Sequence, residues 1–306
     1  MSYKKQYDVI IIGAGPSGVK AALKCSEKGL KVLIIDSNAN NGGQIYRAPP
    51  KSFIKKGKKS LEENLIQLSF SQKIKENNID TAYNHTVWQV SPGYKIDAFN
   101  DDGTIQWNAK KLIIATGTYE KIIPFDGWTT PGVIGLAAST ILLKSHQTIP
   151  SNKMVLAGNG PLLILVAYYV LKFGGKVDAI IDTSSKFNWI TSMFSLIFNP
   201  KNFIQGISWI TKIIFSRVPI YSNSLVTNVN KINNGLLVKI KNIKSNKITE
   251  LKTEVLAVGH GLTPSTDISR LLKVKHSYNE LKGGWIPKLD KFFRSTMNGL
   301  YIVGDG

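Results

Sequence analysis

The pattern of apolar and polar positions predicts alternating strands and helices. Residues 8–12 (DVIII) form a continuous apolar run ending at Gly13, the pattern of a strand covered on both faces. Residues 16–28 then read as a helix with Val19, Ala22, Leu23 and Cys25 on one side, closed by Gly29. Residues 31–36 (KVLIID) read as a second buried strand, so a βαβ unit fits in the first 36 residues. Residues 61–76 predict a helix. Residues 81–89, 94–99 and 106–107 predict short strands with a turn at Asp102–Gly103, and residues 112–115 another buried strand.

The opening pattern returns further on. Residues 154–157 predict a strand, 158–160 a turn, 162–173 a helix and 176–182 a strand. Gly13 to Asp36 spans 23 positions and Gly158 to Asp182 spans 24. A repeat of this kind predicts an α/β protein with two Rossmann-like dinucleotide-binding domains. The Pro- and Gly-rich crossing at 124–131 suggests the boundary. The expected division is 1–125 plus 295–306 for one domain and 126–294 for the other, inserted into it. Residues 184–218 depart from the repeat: they are rich in Trp, Phe and Ile, with no acid between Asp182 and Glu250. They read as amphipathic helices covering the second domain, facing a partner or lying on a membrane surface. Residues 225–241 read as a hairpin, and 254–258 and 300–303 as buried strands.

The first turn carries chemistry. In Gly13-Ala14-Gly15-Pro16-Ser17-Gly18, Gly13 permits the tight turn, Gly15 lets a pyrophosphate approach the backbone, and Gly18 lets the helix pack on the sheet. The helix N-terminus offers free N–H groups to phosphates, and Asp36 is placed to accept a ribose diol. In the second unit Gly158 and Gly160 repeat the turn, Leu163 replaces the third glycine, and Asp182 occupies the ribose position. NAD, another nucleotide and a vestigial site all stay open there, whereas an acid at this position argues against NADP.

Composition narrows the chemistry. The single cysteine, Cys25, reads as packing and excludes a redox CxxC pair, a cysteine zinc site or an iron–sulfur cluster within this sequence; no metal site is expected. The net charge of +19 comes almost wholly from lysine, with four arginines at 47, 217, 270 and 294. It is dispersed apart from Lys51, Lys55, Lys56, Lys58 and Lys59, which read as a solvated loop, so nucleic acid is not expected as a partner. The apolar runs at 161–173 and 189–198 fall short of the ~18–20 residues of a membrane span, and no targeting segment is evident, so the expectation is cytoplasmic.

Three further segments resemble flavoprotein reductases. Ala115-Thr116-Gly117 looks like their ATG segment, Gly304-Asp305 like the segment whose aspartate meets the ribityl chain, and Gly42-Gly43-Gln44-Ile45-Tyr46-Arg47 like the loop along the flavin. Val87 falls where a backbone contact to the FAD adenine is common. Together GGQIYR, ATGTYEKIIPFDGWTTPGV, VLAGNGPLLILVA, VGHGLTPSTDISRLL and GGWIP…LYIVGDG resemble the flavoprotein subunits of opine oxidase, hydrogen cyanide synthase and related amino-acid dehydrogenase complexes, across residues 6–306.

The resemblance implies a glutathione-reductase-like fold and FAD as cofactor. It implies an electron-relay or dehydrogenase role beside a second, oxidase-like subunit that oxidises a C–N bond, with a further electron acceptor. The alternatives are a stand-alone NADH-dependent reductase and a non-catalytic nucleotide-binding subunit. The similar proteins continue past GDG with a helix that caps the flavin site, and often with a cysteine-rich region holding an iron–sulfur cluster. The expectation is therefore of a truncated or split product. No catalytic acid or base is assigned. Arg47 and Glu120 are the polar side chains of first interest. His260 reads as a loop histidine or a flavin contact, and His146 and His276 as surface positions.

Overall fold

The computed structural model describes residues 5–47, 49, 62–185, 200–280 and 283–305. The lysine cluster at 51–59 and the apolar run at 189–198 therefore lie outside the described residues, as does Gly306. The chain divides into two compact units, Met1–Tyr119 with Leu262–Gly306, and Glu120–Gly261, so the second interrupts the first in sequence.

The first unit is built on β1 (Lys5–Ile12), α1 (Pro16–Ser26), β2 (Val32–Ile35), α2 (Glu62–Glu76), β3 (Asp80–Ala82), β4 (Thr86–Ser91), β5 (Lys95–Asn100), β6 (Gly103–Ile114) and β7 (Thr118–Glu120). Its main sheet runs β3-β2-β1-β6-β5-β4. The apolar runs of β1 and β2 are buried on both faces. Ile10, Ile12, Leu33 and Ile35 enter one core with Leu112 and Ile114, while Val9, Ile11, Val32 and Ile34 enter the other with Val19 and Ala22 of α1. β6 joins what the sequence suggests are two strands. Its first half pairs antiparallel with β5 while residues 107–114 pair parallel with β1. The exposed Lys110 and Lys111 break the apolar pattern there, and Lys110 pairs with Asp8 across the strands at 2.7 Å.

The second unit holds β8 (Val133–Gly135), α3 (Leu136–Ser145), β9 (Lys153–Gly158), α4 (Pro161–Lys172), β10 (Lys176–Asp182), α5 (Pro200–Phe215), β11 (Ile220–Ser222), β12 (Ser224–Ile232), β13 (Gly235–Asn242), β14 (Ile248–Thr253) and β15 (Val255–Gly259). Five parallel strands run β11-β10-β9-β15-β8. The predicted hairpin is an antiparallel three-stranded sheet, β12-β13-β14. Val226, Val229, Leu236, Val238 and Ile240 from it pack on Val155, Ala157, Ala179, Ile181 and Leu256, covering one face of the parallel sheet.

Past Gly261 the chain supplies β16 (Leu262–Pro264), α6 (Asp267–Leu271), β17 (His276–Asn279), β18 (Gly284–Pro287) and β19 (Leu300–Ile302) to the first unit. β19 pairs parallel with the end of β6, the expected return to the first sheet. The boundaries differ from the expected 125/126 and 294/295, because residues 262–294 belong with the first unit. β16 pairs with β7, Val274 is part of the first core, and Ile268, Leu272 and Leu289 pack against it. Without a nucleotide motif in this stretch, the sequence offered only its closing strand as a marker.

Candidate functional site

The C-terminal ends of β1 and β6 meet at the first glycine turn. Gly13 has φ +108°, and a Cβ there would lie 2.3 Å from the Ala115 carbonyl oxygen. Gly18 faces back on the same turn, where a Cβ would stand 1.9 Å from the Gly13 oxygen. Both glycines are required by close approach, and Gly18 supports the turn rather than lining the space above it. α1 starts with Pro16 after Gly15, has no side-chain cap and carries no acid in its first turn. Its leading N–H groups and its positive dipole end are therefore available to an anion.

Every other predicted cofactor residue of the first unit lines one cleft of about 420 Å3: Gly13, Gly15, Pro16, Ser17, Asp36, Gly43, Gln44, Arg47, Val87, Ala115, Thr116, Gly117, Gly304 and Asp305. That volume suits a small-molecule or cofactor site. Asp36 is fixed on both oxygens: Oδ2 accepts from the Ala14 amide at 2.6 Å, and Oδ1 from the Asn38 amide at 2.7 Å and its Nδ2 at 2.8 Å. A carboxylate oxygen has more than one lone pair, so this rim carboxylate keeps acceptor capacity for a diol. The loop with Gly43 rests on the turn, where a Cβ on Gly43 would be 2.9 Å from the Gly15 Cα. A Cβ on Gly304 would meet Ser17 Oγ at 2.7 Å, which brings the exposed Asp305 beside the start of α1. The cleft is a cradle of backbone and small side chains that larger residues would fill.

Arg47 is held at one end of the cleft lining. Its Nη2 donates to Asn38 Oδ1 at 2.9 Å, at the Asp36 end of the cleft. Burial pulls its pKa down and the Asp36 charge pushes it back up. The sequence reading missed Asn38, Ser265, Asp267 and Tyr119 as lining residues. The Ser265 amide donates to the Gly117 oxygen at 2.8 Å, and Tyr119 Oη donates to Asp267 Oδ2 at 2.7 Å. The available signal was LTPSTDI, a stretch with three hydroxyl residues and an acid directly after a buried strand.

Glu120 lies outside the cleft lining. Its two oxygens each accept from the Ala137 amide at 3.1 Å, at the N-terminus of α3, which has no cap from its own Gly135. Burial raises its pKa more than the backbone donors lower it. A carboxyl with a raised folded value stabilises most below the ordinary glutamate range and loses that contribution as pH rises through the folded value. Glu120→Gln is expected to raise the thermal midpoint at neutral pH, with the gain shrinking as pH falls toward about 4.3. Glu120→Ala is expected to cost about 1 kcal/mol, because it leaves α3 uncapped. Melting curves across pH check both.

His260 is half-buried, with burial and Lys121 lowering its pKa, and it does not line the cleft. His146 is exposed as expected. His276 is not simply a surface group, since Nδ1 lies 2.7 Å from the Val274 oxygen and Nε2 lies 3.0 Å from Ser269 Oγ.

In the second unit Asp182 lies in register with Gly158, and Gly160 stands at the N-cap of α4. Gly158 has φ +138°, and a Cβ there would sit 1.7 Å from the Gly259 oxygen. Leu163, at the position corresponding to Gly18, is fully buried in the packing of α4. Asp182 is 1% exposed and accepts from the Ser184 amide and Ser184 Oγ, both at 2.8 Å. The two acids thus differ: Asp36 faces a cleft and Asp182 is enclosed.

The sequence matches the family described as pyridine nucleotide-disulphide oxidoreductase across residues 7–306. The chain belongs to that family. Pyridine nucleotide-disulphide oxidoreductases of this type are FAD-dependent enzymes with NAD(P) as their second nucleotide. Among curated proteins, the chain is 28% identical over 304 residues to the A chain of opine oxidase from Rhizobium meliloti (strain 1021), covering 98% of this chain and 66% of that protein. It is 25% identical over 305 residues to the HcnB chain of hydrogen cyanide synthase from Pseudomonas protegens, covering 97% and 65%. It therefore spans a little under two thirds of the length of these relatives. Among solved structures, thioredoxin reductase of T. acidophilum matches with a TM-score of 0.70 at 22% identity, covering 99% of this chain and 90% of that one. L-proline dehydrogenase of P. horikoshii matches with a TM-score of 0.65 at 18% identity, covering 99% and 52%. These likenesses confirm the two-Rossmann-domain fold expected of the family. Among the described helices none is long and apolar enough to cross a membrane, and no cluster of metal-ligating side chains is present among the described residues.

Proposed function

We propose that the cleft of the first unit holds FAD and that this chain is the electron-transferring flavoprotein subunit of a complex oxidising an amino acid, an opine or a related amine. The carrying observation is the convergence of four separate segments, 13–17, 36–47, 115–117 and 304–305, on one cleft. The leading amides of α1 would hold the pyrophosphate, Asp36 the ribose diol, and the Val87 backbone the adenine. Gly43, Gln44, Thr116 and Gly117 would lie along the ring system, and Asp305 would bond the ribityl chain. Arg47, tied to Asn38, would hold the Asp36 end closed. Bound FAD supplies the redox chemistry by accepting two electrons and releasing them onward. The residues of this chain position it and keep its phosphates paired.

The relatives named as oxidase and synthase subunits support a partner that performs the C–N oxidation. The single cysteine supports a route without a dithiol relay within this sequence. Family membership favours a second reading, reduction by NADH through the second unit. The enclosed Asp182 and buried Leu163 weigh against it. Anaerobic addition of NADH to FAD-loaded protein separates the two. The leading reading predicts no bleaching of the flavin bands by NADH, with bleaching restored by amine substrate and an oxidase-like partner. Stoichiometric bleaching by NADH alone would establish the second.

A further inference from the structure

The stretch between Asp182 and Glu250 contains no acidic residue, yet its helix carries large apolar side chains into solvent. α5 has an inward side on which Ile213 is buried and Trp209 lies 6.0 Å from the Tyr168 ring of α4. Its other side carries exposed apolar side chains. Ile207 and Ile214, seven positions apart and so on one face, are exposed, Ile214 at 64%, and the adjoining Phe215 is 82% exposed. Lys212 and Arg217 are exposed around the same helix end. The nucleotide cleft uses none of these residues, and a solvated helix has no need of them.

We infer that the C-terminal end of α5 is a docking surface for an anionic lipid bilayer, with Ile214 and Phe215 dipping into the interface and Lys212 and Arg217 facing the headgroups. Charge decides the occupant. A few apolar groups flanked by bases are enough for reversible attachment to an anionic surface. The exposed charges at this helix end are Lys212 and Arg217, no acid occurs in the sequence between Asp182 and Glu250, and the chain as a whole carries +19, which complements an anionic lipid surface. Among the described helices none is long and apolar enough to cross a bilayer. This inference does not depend on what fills the nucleotide cleft.

General attraction of a +19 chain to anionic vesicles is the competing explanation, and the test is built to remove it. The full chain is sedimented with vesicles of phosphatidylcholine alone and of phosphatidylcholine mixed with phosphatidylglycerol, at low and raised salt. Ile214→Ser/Phe215→Ser and Lys212→Gln/Arg217→Gln are run beside the unaltered chain. The expected result is binding to the mixed vesicles that weakens with salt, as counterion screening requires. The serine pair should lose about tenfold or more at the same salt, from apolar burial alone. Its thermal midpoint should be unchanged, because both side chains are exposed. The glutamine pair should also lose affinity, and more so at low salt. Equal binding by the serine pair and the unaltered chain would overturn the inference, since dispersed lysines would then suffice. Absence of binding to either vesicle would overturn it too.

Discussion

Gly15→Ala is expected to leave the fold intact and to remove FAD binding. Gly15 has φ −68°, which any residue adopts, and the nearest atom to an added Cβ is Gly43 Cα at 3.9 Å. The apo protein should therefore melt within about a degree or two of the unaltered chain, consistent with a change under ~0.5 kcal/mol. The same methyl stands between the turn and the 43–47 loop, on the wall that a pyrophosphate must approach. Affinity should fall on the order of a hundredfold, the effect of losing close backbone contact with the phosphates, about 2.7 kcal/mol. Fluorescence titration of FAD beside apo melting measures both quantities. If affinity were retained, the phosphate slot would lie elsewhere. If the apo midpoint dropped sharply, Gly15 would be there for folding.

The largest effect on stability is expected at Gly158, in the second unit. Gly158→Ala places a methyl 1.7 Å from the Gly259 carbonyl oxygen at φ +138°. Backbone sits on the far side of that overlap, so β9 and β15 must separate where Val155–Leu256 and Ala157–Val258 pair. Strain at a forbidden φ and overpacking each cost roughly 1–3 kcal/mol, so a loss of about 3–5 kcal/mol follows. Hydrogen exchange should show weakened protection across β9, α4 and β10, while β1 and β2 of the first unit keep theirs. Unchanged exchange in β9 and β15 would show that the turn relaxes without opening the sheet.

The parts of the fold that could be read from sequence are those where burial is two-sided. The apolar runs 8–12 and 176–182 sit in strands close to their expected bounds because parallel strands under helices leave few polar positions. α3, β14 and β16 to β18 were not foreseen. β14 alternates between exposed and half-buried positions, so its residues carry little apolar signal. Residues 262–294 are recognisable only through packing on a core built by distant residues, which no local pattern reports. The candidate site was legible where glycine is forced by geometry, as at Gly13 and Gly18, and where an acid ends a strand, as at Asp36. It was not legible where a side chain's direction decides its role. Arg47 turns toward Asn38, and Glu120 turns from the cleft segment to cap α3. Asp182 follows the same strand-end rule as Asp36 and is enclosed instead. A spacing motif fixes the backbone of a nucleotide turn but not whether the acid stays open.

The central claim is that the first unit's cleft holds FAD, and the visible spectrum of the purified chain, desalted with and without added FAD, tests it most directly. The account predicts flavin bands that survive desalting, at about one flavin per chain, with loss of those bands in Gly15→Ala. A colourless chain that takes up no FAD, while its melting curve shows a folded protein, would contradict it.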